Sequence, residues 1–145
     1  MKKLAMLVFG LLFIALSAFS VIEDDKHIGL WKGVDATQSI GYINLDKEDY
    51  AFFVIEKDTL GGKSFMMQGV EGYMKYEVDY ESSPHGIDFV IYLAENDTEL
   101  GRLPGIFKFE EGTMVLCVNF ESPARPTEFV EDSTITLEKQ EEAKE

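Results

Sequence analysis

Residues 103–129 read LPGIFKFEEGTMVLCVNFESPARPTEF. Two extended runs flank one turn signal there, and that arrangement decides the fold class. Met114, Leu116, Val118 and Phe120 fall on one side of an extended chain, and Val115, Cys117 and Asn119 fall on the other. Between the runs, Glu110-Glu111-Gly112-Thr113 has a glycine free to take the positive φ of a tight hairpin turn. An Arg125-Pro126 pair follows in a loop. The proline fixes its own φ and biases the arginine towards extended geometry.

The same alternation recurs along the chain. In GYMKYEVDY, residues 72–80, Met74, Tyr76, Val78 and Tyr80 alternate with Lys75, Glu77 and Asp79. One face is apolar and the other charged, as in a half-buried antiparallel strand. Ile87, Phe89, Ile91 and Leu93 repeat the device, and so do Ile135 and Leu137. Residues 39–45, 50–56, 65–69 and 105–109 complete the expected strands. Tight connections are expected at 45–49, 69–72 and 110–113, with longer links at 58–63, 81–86 and 95–102. No segment after residue 20 reads as a helix. About eight short antiparallel strands in sequence order form either a barrel or a sandwich. Hairpins between neighbours favour the barrel, which leaves no open edge. The expected fold class is therefore all-β, an eight-stranded antiparallel up-and-down barrel.

The first twenty residues, MKKLAMLVFGLLFIALSAFS, have the order of a signal peptide. Lys2 and Lys3 form the basic region, residues 4–16 the apolar run, and Ala18 and Ser20 the small residues before a cut expected after Ser20. The run is short for a membrane span and has no basic stop beyond it. No cysteine stands near the cut, which argues against a lipid-modified anchor. The expected organisation is a signal peptide at 1–20 and a loose acidic segment at 21–27. A barrel domain at 28–139 and a charged flexible tail at 140–145 follow. A cleavable signal implies a secreted or periplasmic protein that is not inserted in the membrane.

The chain of 145 residues has 13 basic and 27 acidic side chains. The first twenty carry two lysines and no acid, so the remainder has 11 against 27, a net of −16. Such a charge repels nucleic acid and anionic lipid. Cys117 is the single cysteine, so an internal disulfide framework is excluded.

Gly29-Leu30-Trp31 is a Gly-x-Trp at the entrance to the first strand. With Lys32 after it, Gly105-Ile106-Phe107, Gly112-Thr113 leading to Cys117, and Arg125-Pro126-Thr127-x-Phe129, it resembles a bacterial family of exported lipocalin-like domains of unassigned function. His27 or Ile28 stands where that family has a leading leucine. The resemblance implies a lipocalin-like barrel and export, and it carries no catalytic residues. In many lipocalins an arginine lies over the Gly-x-Trp indole at the closed end. By that likeness Arg125 is expected to stack on Trp31, or to hydrogen-bond the backbone near it, and, with Gly29, to close the barrel. Cys117 is expected to be structural.

Other chemistry finds little support. His27 and His85 sit in expected loops far apart, without the spacing of a zinc site. The acidic loops 46–49 and 95–99 lack the glycine-centred spacing of a calcium loop. Ser82, Ser83 and His85 lack a nucleophile elbow around them. No catalytic residue, metal ligand or cofactor is expected, and the chain is not expected to be an enzyme. What remains is the barrel interior, with Met66, Met74, Tyr76, Phe89, Ile91, Phe109, Met114 and Leu116 as its expected lining. Methionines on several walls would suit a small hydrophobic ligand. A small barrel can equally be filled by its own side chains, as a structural or protein-interaction module of the cell envelope. The sequence leaves both readings and the oligomeric state open.

Overall fold

The computed structural model describes residues 25–34 and 40–141. The expected signal peptide at 1–20 and the expected cut lie outside the described residues. Ten strands follow one another: β1 (Gly29–Gly33), β2 (Ile40–Leu45), β3 (Ala51–Ile55), β4 (Asp58–Gly61), β5 (Phe65–Met67), β6 (Val70–Asp79), β7 (His85–Leu93), β8 (Glu99–Glu110), β9 (Thr113–Val118) and β10 (Thr134–Lys139). All pair antiparallel in one sheet of order β4-β3-β2-β1-β10-β9-β8-β7-β6-β5.

First and last strands meet, with Trp31 opposite Lys139 and Gly33 opposite Leu137. The other seam is joined locally. Tyr50 bridges Lys75, and the Tyr76 and Met74 amides donate to the Asp49 and Gly62 carbonyls at 2.9 Å each. The result is a nearly closed antiparallel barrel.

The count of ten corrects the expected eight. In β4 only Leu60 is a large apolar residue, so the segment shows no alternation and reads as a link. It becomes a strand because the Glu56-Lys57 turn, with Glu56 at φ 56°, folds it back with Leu60 opposite Phe53. The expected link at 95–102 likewise contains the start of β8. There Arg102 is held by carboxylates of Asp88 on the neighbouring β7 and of Glu77 on β6 beyond it. The turn expected at 69–72 lies at Gln68-Gly69, with φ of 49° and 85°, so Val70 and Glu71 already belong to β6. Glu111-Gly112, at φ 50° and 83°, forms the expected tight turn. Phe120 lies beyond the end of β9 and is 42% exposed.

The inward residues of successive strands make one core. Ile43, Leu45, Phe53, Met74, Ile87, Phe89, Phe107, Met114, Leu116 and Leu137 belong to it. Each large side chain so buried stabilises the fold by roughly 1.5–3 kcal/mol relative to exposure.

Candidate functional site

One end of the barrel is plugged. Residues 25–27 form a short turn across it, and His27, expected in a loose segment, is buried. The reason is an acceptor requirement. The buried Trp31 indole N–H donates to the His27 carbonyl at 2.8 Å, and a buried donor without a partner would cost about 1–3 kcal/mol. The His27 ring packs on Tyr76 and Tyr80, with Nδ1 2.7 Å from the Tyr80 hydroxyl. His85 meets Tyr80 edge-on, with ring centroids 5.0 Å apart. The two histidines, remote in sequence, thus meet around one tyrosine. The Tyr76 hydroxyl donates to the Asp46 carbonyl at 2.7 Å, and burial first, then the Asp49 and Asp46 charges, raise its pKa.

Of the expected lining, Met74, Phe89, Met114, Leu116 and Tyr76 are buried, and Ile91 and Phe109 pack against the core from its margin. Met66 is a correction. Its neighbour Phe65 packs on the core, so alternation turns Met66 outward, where it is 65% exposed. The inward residues touch one another: Phe53 meets Phe89 edge-to-face across the barrel at 4.7 Å, and along β8 Phe107 meets Phe109 at 5.6 Å. The apolar hollow between Ile40, Ile43, Phe53, Leu116, Val118 and Ile135 has a volume of about 10 Å³. That is near the least space one water needs.

Arg125 is a second correction. Its guanidinium lies on the outer wall, where Nη1 donates to the Gly105 carbonyl at 2.9 Å and Nη2 is 2.7 Å from Asp88 Oδ1. A Cβ on Gly86 would sit 3.2 Å from Nη1, so a larger residue there would press the guanidinium aside by a few tenths of an ångström. The cation over the Trp31 ring is Lys139, at 5.5 Å, because β10 lies beside β1 and sets Lys139 opposite Trp31. A Cβ on Gly29 would sit 2.8 Å from the Lys139 stem, so Gly29 and Trp31 are both at the plugged end.

The Arg125 segment straps the outside of the barrel. It covers Cys117, whose thiol donates to the Glu128 carbonyl at 3.7 Å, so both faces of β9 are buried. Beside the strap runs a groove of about 550 Å³ lined by Glu77, Asp79, Ser82, Pro84, Arg125 and Thr127 among others. Asp88 is shared between Arg125 and Arg102. Arg102 also meets Glu77 and Glu99 at 2.9 Å each, and these hydrogen bonds hold its pKa above the ordinary value. His85 and Ser82 do come together, but His85 Nδ1 faces the Ser82 carbonyl at 3.2 Å. The Ser82 hydroxyl instead donates to the Asp79 carbonyl at 3.3 Å. Among the described residues no group of three His, Cys, Asp or Glu is placed to hold a metal ion.

Comparisons of the chain with protein-family models, with curated proteins and with solved structures return no match. The likeness to exported lipocalin-like domains therefore rests on the residues quoted above and on the barrel itself.

Proposed function

We propose that this chain is an exported, lipocalin-like barrel protein, non-enzymatic, whose interior is structural and whose outer surfaces engage another component of the cell envelope. The observation that carries this reading is the packing of the interior, where Phe53 and Phe89 meet across the barrel at 4.7 Å. Sites for small organic ligands run to about 300–1,000 Å³, whereas the apolar hollow here has about 10 Å³. The same reading takes residues 1–20 as a signal that is removed, leaving a secreted or periplasmic protein with neither nucleic-acid affinity nor membrane insertion. Its lipocalin-like character is supported by the meander order and by the Gly29-x-Trp31 pair at the plugged end. Strands β4 and β5 are short additions at the seam.

Denaturing extraction and mass spectrometry of the protein purified from its own host test the reading. No small molecule should be retained near one equivalent. An apolar compound held at one per chain would overturn it and restore the carrier function.

A further inference from the structure

We propose that the seam between β4 and β5 docks an extended peptide segment of a partner protein, which adds there as a strand with alternating apolar and basic side chains. This rests on the reading of the chain as an interaction module and names the kind of partner it takes.

The sheet has two ends, β4 and β5. The walls are joined at Tyr50–Lys75 and at Gly62–Met74. Beyond that junction β4 and β5 are not paired with each other. Which backbone groups face the seam follows from the hairpin registers. Ile55 and Asp58 flank a two-residue turn and Phe53 pairs with Leu60, so Asp58 and Leu60 exchange hydrogen bonds with β3. Thr59, between them, aims its N–H and C=O away from β3. On the other lip Met67 pairs with Val70 and Phe65 with Gly72, which turns the Met66 N–H and C=O away from β6. Each lip thus offers one N–H and one C=O to a further strand. Neither lip carries proline, and both are short, at four and three residues, so an added strand pairs over a few residues only.

Side chains at the seam suit an alternating occupant. Leu60, Phe65 and Ile55 are only partly buried behind it. Val70, on the same face as Met67 and the inward Met74, is 45% exposed, and Met66 on the outer side is 65% exposed. Glu56, Asp58 and Glu71 stand around the lips and are exposed. Of the nearby lysines, Lys63 pairs with Glu48 at 3.0 Å and Lys75 lies over the Tyr50 ring at 4.8 Å, which leaves Lys57. The whole chain has a net charge of −14. A second copy would bring the same negative charge to the edge, whereas a basic segment is attracted to it.

The test uses the full gene product as the cell leaves it and a fluorescein-labelled heptapeptide of alternating lysine and valine. Comparison peptides carry the same residues in blocks, or glutamate in place of lysine. By anisotropy at physiological salt the alternating basic peptide should bind at least tenfold tighter than either. It should also slow amide exchange at Thr59 and Met66. Thr59→Pro or Met66→Pro should weaken binding tenfold, because each removes an N–H aimed at the seam and leaves the ladder to β3 or β6 intact; circular dichroism verifies the fold. Thr59→Val, which keeps the N–H, should bind as the parent does. Equal affinity for the block peptide, indifference to both prolines, or protection elsewhere would overturn the proposal, as would a dimer paired through these edges. Any of these would leave the filled interior untouched, since that reading is judged on retained small molecules.

Discussion

Replacing Phe89 by alanine puts the filled interior to a quantitative test. Phe89 is fully buried on β7, edge-to-face with Phe53 at 4.7 Å. Its strand is held on both sides, with Tyr76 of β6 and Leu103 of β8 as register partners. The backbone there cannot move in to close a void. Core Phe→Ala replacements cost about 3–5 kcal/mol, the larger values where the site does not collapse, so the upper half of that range is expected. Domain stabilities of about 5–15 kcal/mol leave the variant measurable without denaturant in all but the weakest case. Urea melts followed by Trp31 fluorescence should show a lower midpoint at unchanged slope. The void should also bind benzene, as dry apolar cavities do, so benzene should stabilise the variant, by about 2.7 kcal/mol at a hundredfold excess over its Kd, and raise its midpoint accordingly. The parent protein should not respond. A loss below about 1.5 kcal/mol, or a parent protein stabilised by benzene, would show that the interior is not packed and that a real cavity exists.

Arg125 should couple to Asp88 and not to Trp31. In double-mutant cycles Arg125→Met with Asp88→Asn should give about 0.5–1 kcal/mol, the range for a partly exposed ion pair. Arg125→Met with Trp31→Phe should be additive, and coupling above about 0.5 kcal/mol there would refute the placement. At alkaline pH, Tyr76 has a pKa raised in the fold by burial and nearby aspartates, so the unfolded chain loses that proton first. Its contribution is complete below about pH 10, the unfolded value, and stability falls above it, by at most about 1.4 kcal/mol per pH unit. Tyr76→Phe should lower stability by about 1 kcal/mol near neutrality through the lost hydrogen bond to Asp46, and it should flatten the alkaline fall. Part of that fall should remain, because Tyr73 is also raised, to about 12, chiefly by its hydrogen bond to Asp97. An unchanged alkaline slope in Tyr76→Phe would show that the buried phenol does not control it.

The all-β class, the alternating faces of β6, β7 and β9, and the turn at Glu111-Gly112 were legible in the sequence. Each is local: period-two patterning and a glycine at a turn act within a few residues of chain. Met74, Phe89, Met114 and Leu116 could be placed inside for the same reason. Strand β4 could not be found, since Asp58-Thr59-Leu60-Gly61 has no alternation of its own and is a strand only because β3 offers it a ladder. Met66 was misplaced by one residue, and in a strand one residue changes the face. The pairings that decide the ends of the barrel were beyond reach. Trp31 has Lys139 over its ring because β1 lies beside β10. His27 and His85 meet at Tyr80 because the plug lies over β6. Arg125 sits on Asp88 because the aperiodic 119–133 segment runs back along the outer wall. Alternation determines which face of a strand is apolar. Which residue lies opposite depends on the order and register in which the strands close, and those are set by contacts between residues far apart in the chain.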